Sequence, residues 1–178
     1  DVHLDDDGRL LGAQSLGLGA NSARCFKDQA PVGDPILAAF SGRCAIMEGP
    51  EQDVLTRYRM ALDHHDSDFV VRITGDCPLI PPYVISRLVS LATANNYDYL
   101  SNVDERFRTS LDGVDCEVIS ERLLRHLHQY ANTPEDREHV TTYARREPPD
   151  WARMGAVISH FDHSHIKVSV DTPEDLES

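Results

Sequence analysis

Apolar positions along the chain recur in two rhythms, helical spacing and short continuous runs, and the two alternate. Val54, Leu55, Tyr58, Ala61 and Leu62 stand three and four residues apart and predict an amphipathic helix over 51–65. Phe69-Val70-Val71 follows as a compact apolar block, predicting a buried strand over 68–73. Pro81-Pro82 opens a second helix, with Val84, Ile85, Leu88, Val89 and Ala92 on one face and a close at Asn95-Asn96. A strand is predicted over 97–100. Beyond a polar loop holding Leu111-Asp112-Gly113, another is predicted over 116–119, leading into a helix that carries Leu123, Leu124, Leu127 and Tyr130. Thr133-Pro134 starts a further helix, because threonine can cap it and proline suits its first turn. Two more strands are expected near 155–159 and 166–170, and Asp171-Thr172-Pro173 opens a last helix. Upstream the pattern is weaker. Residues 1–33 read as loop-rich with one short strand, 36–40 as a helix, and 44–47 as a strand broken at Glu48-Gly49-Pro50. Strands alternating with helices predict an α/β class, one domain over 1–178 with a mostly parallel central sheet.

Charge narrows the choice of partners. The 178 residues carry 17 basic and 30 acidic side chains, a formal net charge of −13. That excess disfavours binding to nucleic acid or to anionic membranes through general electrostatics. A small anionic substrate remains compatible, provided a local basic pocket or a divalent cation neutralises it. The four cysteines, Cys25, Cys44, Cys77 and Cys116, form no CxxC pair and read as reduced thiols of a cytoplasmic protein. No run approaches the ~20 apolar residues of a membrane helix.

Two acids stand at equivalent places. Asp76 follows the strand over 68–73 and Asp171 the strand over 166–170, and open α/β sheets collect ligands outside the carboxyl ends of their strands. Two carboxylates converging there can seat Mg²⁺, which takes one or two protein carboxylates and fills its octahedron with water and phosphate oxygens. Each acid has a plainer reading, Asp76 as a turn former and Asp171 as a helix cap. His160, His163 and His165, with Asp162 among them, form HFDHSH, a spacing at which histidines hold zinc; the segment also reads as a turn before the last strand. His64-His65 suits the charge at a helix C-terminus.

RITGDCPLI (72–80) and VSVDTPEDLE (168–177) resemble two hallmarks of the cytidylyltransferases that make CMP-activated sugar acids, closest to the spore coat polysaccharide biosynthesis protein F and acylneuraminate cytidylyltransferase-like branch. EGPEQDVLTRY (48–58), DGVDCEV (112–118) and REHVT (137–141) resemble further segments of that branch, in the same order, so the likeness runs through 34–177. The resemblance implies a nucleotide-diphospho-sugar transferase (Rossmann-like) domain and Mg²⁺-dependent transfer of CMP from CTP to a small acidic acceptor, with pyrophosphate released. It implies Asp76 and Asp171 as the metal carboxylates, and a homodimer. Arg72 and Lys167, on the strands leading to those acids, become candidates for phosphate contacts; a salt bridge at the end of the sheet is the alternative. Asp112, Asp115, Glu117, Arg137, Glu138 and His139 would face the acceptor. Surface charge is the alternative for Arg137 and Glu138, and a half-buried helix position for His139.

One part of the family pattern finds no match. The glycine-rich basic loop that cradles the CTP phosphates has only Gly17 to Arg24 as a counterpart, and that stretch reads equally as an ordinary loop. Since the chain begins at Asp1, the expectation is a piece of a longer protein. The rival readings are a non-catalytic nucleotide- or sugar-binding relative and a sugar-1-phosphate nucleotidyltransferase that uses another nucleoside triphosphate.

Overall fold

The computed structural model describes residues 47–64 and 67–177, together with short stretches at 3–4, 10–11, 24–25, 29–33 and 38. The expected helix over 36–40, the strand over 44–47 and the glycine-rich stretch before Arg24 lie outside the described residues, Ala38 and Met47 apart. The chain folds as two compact units, one of Asp1–Ala20, Val71–Ile119 and Arg153–Ser178, the other of Asn21–Val70 and Ser120–Ala152. Short strands precede the described core: β1 (His3–Leu4) pairs antiparallel with β2 (Leu10–Leu11), and β3 (Arg24–Cys25) and β4 (Gln29–Pro31) follow.

The central sheet aligns β3, β6 (Phe69–Arg72), β8 (Glu117–Ser120), β7 (Tyr99–Ser101) and β9 (Met154–Ala156) side by side in that order. The pair β7 and β9 is parallel, as expected, but β7 and β8 are antiparallel, so the sheet is mixed. Every residue of β7 and β8 is buried. Both faces of these strands are covered, although β8 begins on Glu117 and each strand ends on a serine. α2 (Pro82–Asn95) buries Leu88 and Ala92 and packs on β7. Pro81 and Pro82 preset its first turn, and Asn96, at φ 52°, ends it by donating its N–H to the carbonyls of Ala92 and Thr93. Over 166–170 no strand forms; only a parallel bridge between Asp112 and Lys167 remains, because the segment pairs with a loop rather than with a strand. The last helix is a single 3-10 turn, Pro173–Leu176, opened by a reciprocal Thr172–Asp175 capping box.

The first unit buries the Glu117 carboxylate together with its partners. Glu117, 2 % exposed, accepts from the Arg72 guanidinium at 2.5 Å and from the Tyr99 hydroxyl at 2.6 Å. Removing the charge leaves the half-buried arginine facing an amide. Glu117→Gln is expected to cost about 1–3 kcal/mol, read from denaturant unfolding.

In the second unit β4 pairs parallel with β5 (Met47–Gly49), which begins where the sequence reading had the strand ending. α1 (Val54–His64), α3 (Glu121–Tyr130), α4 (Pro134–His139) and α5 (Thr142–Arg146) follow. Leu55, Leu62, Leu123, Leu124 and Leu127 are each no more than 3 % exposed. Burial of each contributes about 1.5–3 kcal/mol. Ser120 caps α3 by accepting the Leu123 N–H, and Thr133 caps α4 by accepting that of Asp136.

Asp136 is buried, and Arg146 grips it with two bonds of 2.9 and 2.8 Å while the Thr133 hydroxyl adds one of 2.7 Å. Arg146 first, then Thr133, hold its carboxyl below the ordinary value of 3.8. A lowered folded-state pKa stabilises the fold above the unfolded value, and the contribution disappears as pH falls through the lowered one. Asp136→Asn is therefore expected to be less stable than wild type at pH 7. The gap should close progressively below about pH 3.8, as unfolding across a pH series would show.

Candidate active site

β6 delivers the chain into two consecutive turns, Cys77 N–H to the Thr74 carbonyl (3.2 Å) and Ile80 N–H to that of Cys77 (3.3 Å), with half-buried Asp76 as the third residue of the first. The backbone carbonyl of Asp76 accepts the Val170 N–H at 2.9 Å. This bond ties the loop of Asp76 to the segment that delivers Asp171, so the two expected metal carboxylates are borne on adjoining strands of backbone.

A third loop is stitched to both. Asp112 gives its N–H to the Ile166 carbonyl (2.9 Å) and accepts the Val168 N–H (2.7 Å). Gly113 sits at φ 103°, and a β-carbon there would lie 2.2 Å from the Ser169 nitrogen. Only glycine allows both the backbone angle and so close an approach. The buried Cys77 thiol sits between two acids, 3.7 Å from Asp76 Oδ1 and hydrogen-bonded by the Asp115 backbone. Asp76, Asp112, Asp115, Asp171 and Lys167 are thus brought together in one unit.

Their electrostatics differ. Burial raises the Asp115 carboxyl above the usual range, the negative charges of Asp112 and Asp76 add to this, and Arg108 opposes it. Lys167, then Ser169, hold the exposed Asp171 carboxyl below that range; the ammonium lies 2.8 Å away and the hydroxyl donates at 3.0 Å. Asp175 is held at about 2 by the N–H of Asp171, by Lys167 and by the N–H of Thr172. Lys167, a candidate phosphate contact, therefore bridges Asp171 and Asp175 at the rim of the site.

Two expected contacts turn inward. Arg72 forms the salt bridge that was the alternative, and Glu117, expected to face the acceptor, has its carboxylate inside between Arg72 and Tyr99. Arg137, Glu138 and His139 belong to the second unit. There Arg137 is neither a surface charge nor an open clamp: it donates to Asp53 Oδ2 and to the Thr56 hydroxyl at 2.6 Å each, and to the His128 carbonyl at 3.0 Å. Glu138 and His139 are exposed. They precede a classic γ-turn at buried Val140 (φ 60°, ψ −54°), closed by the Thr141 N–H on the His139 carbonyl at 2.6 Å. His160, His163 and His165 are exposed, and among the described residues no three histidine, cysteine or acidic side chains converge at metal-holding distance.

Sequence reasoning missed Arg108. Its guanidinium donates to Asp115 at 2.8 and 3.4 Å, to Asp112 at 3.0 Å and to the Leu111 carbonyl at 3.3 Å. A lone arginine in the polar stretch ERFRTS carries no periodic signal. Only the fold reveals its partners.

A cytidylyltransferase family model matches residues 30–178, most of the chain. The chain belongs to the cytidylyltransferase family. It is 29 % identical over 142 residues to the uncharacterized protein MJ1063 of Methanocaldococcus jannaschii, covering 74 % of this chain and 53 % of that protein. It is 25 % identical over 137 residues to the spore coat polysaccharide biosynthesis protein SpsF of Bacillus subtilis, covering 75 % and 54 %. The chain thus spans about half the length of these curated relatives. The solved structure of a cytidylyltransferase from Leptospira borgpetersenii superposes with a TM-score of 0.74 at 28 % identity, covering 82 % of this chain and 63 % of that one. The family motifs at 72–80, 112–118 and 168–177 are the three loops that the backbone stitches together.

The donor set suits a hard divalent cation. The acids offer carboxylate oxygens, and the negative charges of Asp112 and Asp76 add to the cost of ionising Asp115, a cost that a cation would lower. A cation held by Asp76 and Asp171 would have two protein carboxylates, a number that Mg²⁺ takes.

Proposed function

We propose that this chain carries the core of a Mg²⁺-dependent nucleotidyltransferase that moves CMP from CTP to a sugar acid or a related small acid and releases pyrophosphate. The observation that carries the reading is the hydrogen bond from the Val170 N–H to the Asp76 carbonyl, which joins the two acid-bearing loops within a cytidylyltransferase chain.

In this reading Asp76 and Asp171 would hold Mg²⁺, which would supply positive charge against the charge that develops on the phosphates. Nucleotidyl transfer asks little more of a protein than in-line positioning and charge neutralisation. An acceptor oxygen attacks the α-phosphorus, and the bond to pyrophosphate breaks. Asp112 and Asp115, acceptors of hydrogen bonds when ionised, orient acceptor hydroxyls. Lys167, exposed at the rim, brings positive charge toward the phosphates. Arg72 and Glu117 act from the interior, holding the end of β6 against β8 so that the Asp76 turn leaves the sheet in a fixed direction. Cys77 and Cys116 are buried and stand outside any disulfide, which accords with a cytoplasmic setting. Among the described residues no helix is long and apolar enough to cross a membrane.

The test is pyrophosphate release from CTP in the presence of a sugar acid, N-acetylneuraminate first, across a Mg²⁺ series. Release that requires CTP, acceptor and Mg²⁺ together supports the reading. Nucleotide binding without release across a range of sugar acids favours a non-catalytic relative, and faster release from another triphosphate favours the sugar-1-phosphate reading.

A further inference from the structure

Asp115 is held in place by a residue that sequence reasoning passed over. β7 and β8 pair antiparallel as far as Ser101 and Glu117, and one step on stand Asn102 and Cys116. Asn102 gives its backbone N–H to the Cys116 carbonyl at 3.3 Å. In an ordinary antiparallel pair the Cys116 N–H would return to the Asn102 carbonyl. Instead it goes to the Asn102 side-chain oxygen at 2.8 Å, while the side-chain nitrogen donates to the Val114 carbonyl at 2.8 Å. Those two groups belong to the peptide units on either side of the Asp115 α-carbon. With both peptide planes fixed, the direction in which the Asp115 side chain leaves the backbone is fixed too. The Asp115 backbone also hydrogen-bonds the Cys77 thiol. Asn102 is 4 % exposed, so its bonds form away from water. A planar amide offers a donor and an acceptor side by side; an aspartate would turn a carboxylate oxygen toward the Val114 carbonyl.

We infer that Asn102 is a positioning residue for the acceptor: by clamping the backbone around Asp115, it aims that carboxylate at the acceptor hydroxyls. The inference rests on the nucleotidyl transfer proposed above, and it adds a residue that acts through Asp115 rather than on a substrate. It also separates the two substrates. Loosening the clamp releases Asp115 and weakens the acceptor, whereas Asp76, tied by its own backbone to Val170, keeps its place.

The experiment measures initial rates of pyrophosphate release with CTP and N-acetylneuraminate, each varied at saturating Mg²⁺. It compares wild type, Asn102→Asp, Asp115→Asn and the double variant. Asn102→Asp is expected to raise the acceptor KM on the order of tenfold and to leave the KM for CTP as in wild type. Because Asn102 acts through Asp115, the double variant should show no higher acceptor KM than Asp115→Asn alone. Thermal unfolding reports whether each variant folds. Asn102→Ser, which keeps a small hydroxyl in the same space, takes the place of Asn102→Asp should the latter not fold. An unchanged acceptor KM in a folded variant overturns the inference, as do equal rises in both KM values or effects that multiply in the double variant. Failure of both substitutions to fold also overturns it, because Asn102 would then only support the scaffold. Failure of the functional reading looks different: wild type itself would release no pyrophosphate from CTP, and the inference would fall with it.

Discussion

Asp76→Asn is expected to lose turnover by on the order of 10²–10⁴-fold while keeping the wild-type fold. The magnitude follows from several kcal/mol of charge stabilisation attributed to a catalytic cation, at one decade of rate per 1.36 kcal/mol. Persistence of the fold follows from the geometry. The structural tie at this position is the backbone carbonyl of Asp76 to the Val170 N–H, which asparagine retains. Asparagine also preserves the size of a half-buried side chain. Initial rates of pyrophosphate release across a CTP series, measured beside the thermal midpoint, separate the two effects. Wild-type rates in the variant would remove Asp76 from the reaction.

Gly113→Ala should be the most damaging single methyl in the described part of the molecule. A residue with a β-carbon at φ 103° costs about 1–3 kcal/mol for the backbone alone. The added carbon would also lie 2.2 Å from Ser169 N and 2.5 Å from Val168 C, backbone atoms with no rotamer to escape through. The loop of Asp112 and Asp115 must then lift from the segment that carries Asp171. A loss of about 3 kcal/mol or more is expected from the combined strain and lost contact, together with a fall in activity that tighter conditions of folding do not rescue. Chemical denaturation gives the first quantity and initial rates at low temperature the second. A variant of near wild-type stability would show that the loop is not seated as described.

Much of this arrangement was legible in the sequence. The helix over 54–64, the buried strand before Asp76 and the helix opened by Pro82 were readable because their apolar spacing and proline signals are local. Strands were expected at 97–100 and 116–119, where β7 and β8 form, but their antiparallel sense was not legible, since strand direction depends on partners far along the chain. The expected strand over 166–170 shows the limit: its apolar alternation is real, yet its partner is a loop, so one bridge forms instead of a ladder. Among site residues, Asp76 and Asp171 stood out because motif and strand end coincide. The inward turn of Glu117 toward Arg72 and Tyr99 could not be read, because a buried charge is made tolerable only by partners that the fold supplies. Arg137 likewise looked like a ligand clamp until Asp53 and Thr56, more than eighty positions earlier, were found within its reach.

The most direct test of the central claim is isothermal titration of the chain with CTP, ATP, GTP and UTP, each with and without Mg²⁺. The account predicts that CTP binds selectively, that Mg²⁺ is required, and that Asp76→Asn abolishes the requirement together with the binding it supports. Preferential binding of another triphosphate, or equal binding with and without the cation, would contradict it.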